Sequence, residues 1–97
     1  MIITAATTVV ASKDQVSCDL AGEAAILSLE NSVYYGLDPL GARIWNLIRE
    51  PTPVSAVRDA IVQEYDVEAE RCERDVIELL HRLAAEGLID IKRETAA

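Results

Sequence analysis

The stretch that most constrains this chain is Ser32-Val33-Tyr34-Tyr35-Gly36-Leu37-Asp38-Pro39-Leu40 and the eight residues after it, to Ile48. Val33, Tyr34 and Tyr35 are β-branched or aromatic, which suits a pleated, half-buried strand. Asp38-Pro39 then starts a helix. The Asp carboxylate can accept from orphan N–H groups of a first turn, and proline at the first helical position gives up no hydrogen bond. Leu40, Ile44, Leu47 and Ile48, with Trp45 beside them, recur at helical spacing and make one broad apolar face. Core and function are expected to meet where this strand passes into the capped helix.

The remaining segments are read around that unit. Thr7–Ser12 is rich in β-branched residues and reads as a first strand, followed by a polar turn at Lys13-Asp14-Gln15. Val16–Leu20 opens a second strand, Ala21-Gly22-Glu23 forms a bulge or hairpin tip, and Ala24–Leu29 is the strongest strand of the region. Glu30-Asn31-Ser32 is a tight turn in which Asn31 is expected to take positive φ before the strand Val33–Leu37. The first helix should run from Pro39 to about Arg49, because the residue before Pro51 is pushed out of the helical region. Thr52-Pro53 repeats the cap-and-proline start, and the second helix carries Val54, Val57, Ile61 and Tyr65 on its apolar side. After a turn at Asp66-Val67-Glu68, the third helix spans about Glu68 to Glu86. Its residues Ala69, Cys72, Val76, Leu79, Leu80 and Leu83 share an arc of about 100°. Gly87 ends it as a left-handed cap, Leu88–Ile91 is a short final strand, and Lys92 to Ala97 is a frayed tail.

This order predicts an α+β, winged helix-turn-helix-like fold. An N-terminal antiparallel three-stranded meander is followed by three helices and a short C-terminal strand. We expect one domain over residues 1–97, with an ordered core at about 7–91.

Composition narrows the function. The chain is 51% apolar but has no Phe and one Trp, so the core must be aliphatic with Trp45 as its largest piece. A formal charge of −8, from 17 acids against 9 bases, argues against a backbone binder of nucleic acid, which needs a basic face to displace counterions. No run approaches the ~20 apolar residues of a membrane span. The start Met1-Ile2-Ile3-Thr4 lacks the charged region of a secretory signal, so the expected location is cytoplasmic, away from membranes. Cys18 and Cys72 are far apart with no CxxC and a single His, which suits two free thiols and supplies too few ligands for a metal. His81 falls opposite the apolar arc of the third helix, with no nucleophile or metal indicated beside it. Glu68, Glu70, Glu73 and Asp75 interleave with Arg71 and Arg74, as on a solvated helix with local ion pairs. No phosphate-cradling glycine pattern or Walker-type lysine occurs. The chain is therefore expected to be no enzyme and to need no cofactor.

Two binding modes remain. A winged-helix DNA-binding transcriptional regulator would place the third helix in the major groove, where it needs a cationic face. Here Arg71, Arg74 and Arg82 face Glu70, Glu73, Asp75, Glu78 and Glu86, a net negative set that phosphate would repel. The alternative is the sheet edge, since an exposed strand is a template for an extended peptide. If Val33–Leu37 is that edge and the third helix lies beside it, the two form a groove with an apolar floor and a charged rim. The peptide backbone is expected to bond Tyr34 or its alternating neighbours. Proline at Tyr35 or Leu37 is expected to abolish the pairing. Asp75 and Arg82 share one flank of the third helix, Ile77 and Ala84 the other. Either flank could meet the strand.

Several segments together resemble the PqqD-like family, the peptide chaperones of pyrroloquinoline quinone biosynthesis and their relatives, also called RiPP recognition elements. They are Tyr34-Tyr35-Gly36-Leu37-Asp38, Gly41-Ala42-Arg43-Ile44-Trp45, Glu64-Tyr65-Asp66-Val67, Cys72-Glu73-Arg74-Asp75-Val76 and Leu83-Ala84-Ala85-Glu86-Gly87-Leu88-Ile89. The resemblance covers residues 8–91. It implies a domain that binds the leader of a ribosomally made precursor peptide as an added strand covered by the third helix. It further implies a freestanding member serving a lasso-peptide pathway, with a leader-cleaving cysteine protease and a cyclase as partners. By position it assigns peptide binding to Val33, Tyr34, Tyr35, Gly36 and Leu37 on the strand. On the third helix it assigns Asp75, Val76, Leu79, Arg82 and Leu83. Arg43 and Trp45 match the family and are expected to hold the fold.

Overall fold

Residues 2–92 are described by a computed structural model of the chain. The order is β1 (Thr8–Ala11), β2 (Gln15–Leu20), β3 (Glu23–Ser28), β4 (Tyr34–Leu37), α1 (Pro39–Leu47), β5 (Thr52–Pro53), α2 (Val54–Glu64), α3 (Ala69–Ala85) and β6 (Ile89–Lys92). This is the expected α+β arrangement. The six strands make two antiparallel sheets, in the orders β2-β3-β4 and β5-β1-β6. The three-stranded meander is thus β2-β3-β4. The first strand leaves it and pairs with the last, Val9 opposite Ile91. Of the expected frayed tail, Lys92 belongs to β6 and the rest lies outside the described residues.

The meander is set by its two turns. At Ala21-Gly22 both residues have positive φ, 53° and 91°, and Leu20 faces Glu23 across a two-residue hairpin. That is the hairpin-tip alternative, in the primed turn whose twist matches its strands. At the second turn it is Ser32, at φ 55°, and not Asn31 that takes the left-handed conformation. The Ser32 N–H donates to the Ser28 carbonyl at 2.8 Å, and the Ser28 N–H donates to the Val33 carbonyl at 3.0 Å. Antiparallel partners alternate between bonded and non-bonded pairs. Counting from Ser28 and Val33, the bonded β3–β4 pairs are Ile26 with Tyr35 and Ala24 with Leu37. The Leu29 N–H donates to Asp14, which gives the complementary phase to β2, through Leu27, Ala25 and Glu23. Both counts agree. Tyr34 and Gly36 therefore turn their N–H and C=O groups away from β3, toward an edge with no strand partner among the described residues.

The helices pack as their apolar spacing suggests, with local differences. Asp38 caps α1, its Oδ1 accepting from the Gly41 N–H at 2.8 Å, and Pro39 occupies the first turn. The helix ends at Leu47, and the Thr52 hydroxyl donates back to the Leu47 carbonyl at 2.9 Å. Thr52 is thus not the cap of α2. It pairs with Val9 in β5, and Pro53 stands at the helix start with no side-chain cap. Gly87, at φ 71°, follows α3 as expected. Its N–H bonds Ala84 and that of Leu88 bonds Leu83, the paired contacts of a Schellman turn. Cys72, Val76, Leu79, Leu80 and Leu83 are buried, whereas Ala69 is exposed. Trp45 is only 1% exposed and is the largest side chain in a continuous core with Val9, Ile26, Ile48, Val57, Ile61, Leu80 and Leu88.

Three variants test this packing and turn assignment. Trp45→Ala should lose about 3–5 kcal/mol, the usual cost of emptying a buried aromatic site, in chemical or thermal unfolding. Trp45→Phe should lose much less, because the indole Nε1 is buried with no acceptor among the described residues and its removal orphans nothing there. Ala21→Asn should raise stability by about 0.5–1 kcal/mol, since Asn accepts the left-handed conformation that Ala21 is forced into. An unchanged or lowered Tm for Ala21→Asn would contradict the turn assignment.

Candidate functional site

A groove of about 680 Å³ opens between β4 and the flank of α3 that carries Asp75 and Arg82. Its construction begins at the junction of β4 and α1. Leu37 is buried at the end of the strand, and the chain turns at the Asp38 cap into α1. Gly41 makes that turn possible. A Cβ there would sit 3.2 Å from both Asp38 Oδ1 and the Leu37 side chain, tighter than such contacts normally run. Ile44 from α1, Ile61 from α2, and Val76 and Leu79 from α3 complete an apolar floor. An ion pair between Arg43 and Glu64 ties α1 to the last turn of α2, with contacts of 2.8 Å from Nε and 2.7 Å from Nη2. The hydrogen bond from Arg43 holds the Glu64 carboxyl below its ordinary range and raises the guanidinium in turn.

The structure separates the sequence-assigned residues into three groups. Tyr35, Gly36, Leu37, Asp75, Val76, Leu79 and Arg82 all line the groove. Val33 lies just before β4 and Tyr34 is 70% exposed, and neither lines it. Tyr34 turns its backbone N–H and C=O groups outward at the free edge beside the groove. Leu83 does not belong there at all. It is fully buried in the core, one turn beyond Leu79, where no peptide could reach it. The choice of flank is also settled for the groove: Ile77 and Ala84 are partly buried against the core on the other side.

Other lining residues were read from sequence as core or turn. Helical spacing puts Leu40 and Tyr65 on the apolar faces of their helices. Leu40 is instead exposed at the groove, and Tyr65 follows the last turn of α2, 40% exposed. Val67, at 41% exposed, stands beside it between Asp66 and Glu68. Two large apolar side chains in a four-residue acidic turn were the signal available in the sequence. Arg71 completes this end.

Cys72 lines the groove from a buried position, with its thiol 3.9 Å from the Arg58 carbonyl. Burial pushes its pKa up, and the Asp75 charge pushes the same way. Cys18 is exposed on β2. A thiol reagent at neutral pH should therefore modify Cys18 in the folded protein and leave Cys72 until denaturant is added. Mass mapping of the modified peptide checks this, and equal labelling of both would contradict the burial. Among the described residues no group of three or more His, Cys, Asp or Glu could hold a metal ion, and no helix is long and apolar enough to cross a membrane.

The family model of PqqD, coenzyme PQQ synthesis protein D, matches residues 23–89. Among solved structures, TbiB1 in complex with the TbiA(beta) leader peptide is similar, with 34% identity and a TM-score of 0.81. The match covers 88% of this chain and 99% of that one. No curated protein matches the chain.

Proposed function

The chain belongs to the PqqD family, and we propose that it binds the leader of a ribosomally made precursor peptide as a strand added to β4. One observation carries this reading. The free edge of β4 runs beside an apolar groove, so main-chain pairing and side-chain burial can be satisfied by the same extended segment. The N–H and C=O groups of Tyr34 and Gly36 supply the ladder. Alternate leader side chains then enter the groove over Leu37, Ile44, Val76 and Leu79, and the intervening ones face solvent on the side of Tyr34. The leader complex of TbiB1 supports the reading, because a chain of the same fold, 34% identical to this one, is found with a leader peptide bound.

The protein in this proposal performs no bond chemistry. It holds the leader extended and presents the precursor to separate enzymes, a leader-cleaving cysteine protease and a cyclase of a lasso-peptide pathway, in the cytoplasm. The groove residues agree with a holding role. They include a floor of apolar side chains and a charged rim, and the Cys72 thiol among them is buried and biased toward its neutral form.

Proline scanning of β4 tests the placement. Tyr35 and Leu37 bond β3, so proline at those positions would damage the sheet as well as the site. Tyr34 is the informative position, because its N–H faces outward and an edge strand tolerates proline there. Tyr34→Pro should keep its Tm while weakening binding of a fluorescent peptide, made to the leader encoded beside this gene, by about two- to tenfold. Tyr34→Ala should bind nearly as the parent. Equal affinity of the proline variant, or amide protection on β6 in place of β4, would overturn the placement. Duplex DNA binding without leader binding would favour the regulator reading.

A further inference from the structure

The groove is not uniform in charge along its length. Asp66 and Glu68 lie at the end where α2 turns into α3, and Arg82 lies at the other. Fourteen residues of α3 separate Glu68 from Arg82, about 21 Å at the helical rise. Asp75 stands midway. Arg71 offsets only one of the three acids in the first half, which stays net negative. Among the described residues, Asp66, Glu68, Arg71, Asp75 and Arg82 form no ion pair. Arg82 has Glu78 and Glu86 one turn to either side and pairs with neither. The contrast is with Arg43–Glu64 and Arg58–Glu73, both closed within 2.7 Å. These five charges are thus left for a ligand, while Asp38, which also lines the groove, is engaged at the α1 cap.

We propose, resting on the leader-binding reading, that these two ends select a leader carrying a basic and an acidic residue about six positions apart. The basic residue meets Asp66 and Glu68, and the acidic one meets Arg82. The spacing comes from strand geometry. An extended chain covers about 21 Å in roughly six residues, and an even number keeps both side chains on the same face. β4 itself pairs over only four residues, about 13 Å, so the charged positions lie at or beyond the ends of the ladder. The ladder alone accepts a strand in either direction, because parallel and antiparallel partners can both bond an edge. The charges remove that ambiguity. Only one direction brings unlike charges together at both ends, and the opposite direction brings like charges together twice.

The test uses two synthetic peptides: the leader encoded beside this gene, and the same leader with the basic and acidic residues exchanged. Fluorescence polarisation is read against the parent protein and against the variant Asp66→Lys/Glu68→Lys/Arg82→Glu. All three sites are on the rim, and an unchanged Tm confirms that the variant folds. Exposed pairs are individually weak, so the exchanged peptide should bind the parent about fivefold less tightly or worse. The variant should reverse the preference. The difference should collapse at 1 M salt, where the screening length is about 3 Å. Equal affinity of both peptides for the parent, or no reversal in the variant, overturns the charge selection and leaves leader binding standing. A leader that binds without any such charge pair also overturns it. No binding of either peptide to the parent overturns leader binding itself.

Discussion

The structure depends on how Asp38 joins β4 to α1. Its carboxylate closes the first turn of the helix on the Gly41 N–H, so a single residue separates the end of the strand from the start of the helix. A looser junction would let α1 swing relative to the sheet. Because it cannot, Ile44 is carried beneath the groove and Trp45 into the core from adjacent positions of one helix. Site and core are therefore coupled through a single cap worth only about 1 kcal/mol in helix stability. Its larger effect is geometric: it fixes the angle between the free edge and the floor beside it.

The parts of this fold that are legible in sequence are those decided by local chemistry. Asp38-Pro39, the Gly87 terminus, the apolar arc of α3 and the burial of Trp45 each follow from a few neighbouring residues and appear as read. The departures have tertiary causes. Thr52 has the local signature of a cap, but β1 offers its backbone a strand partner and the end of α1 offers its hydroxyl an acceptor. Nothing near Thr8–Ala11 in sequence announces that its partner is β6. Leu40 and Tyr65 have the spacing of core residues, and they fail to be core because no element among the described residues covers that side of the helices. The same distinction divides the site. Tyr35–Leu37 and the Asp75–Arg82 flank could be assigned by position, whereas the Tyr65–Glu68 end is assembled only when the α2–α3 turn folds back beside α1.

Polar interactions play unequal parts. Arg43–Glu64 is about a third exposed on both sides and joins helices at the groove end, so it positions more than it stabilises. Since Glu64 is held below its unfolded value, that contribution is present above the ordinary carboxylate range. It fades as pH falls through the lowered folded value. Arg58 is shared between Asp59 and Glu73 and links α2 to α3 behind Cys72. Together these pairs hold the helical wall while leaving the rim charges uncommitted.

An open strand edge carries a hazard as well as a use, because any extended chain could add to it. Here the exposed ladder is short. Only Tyr34 and Gly36 direct their groups outward within the four residues of β4, too few to hold a peptide by main-chain bonds alone. A ligand must also fill the apolar floor, which requires a side-chain pattern of period two. A second copy of this chain brings another net charge of −8 to the same edge, which disfavours self-pairing at ordinary ionic strength. Length, floor and charge thus each reject most passing strands. In the leader-binding reading proposed above, what they accept together is a short, alternating, suitably charged segment, and that conjunction, more than the edge itself, would make the groove selective.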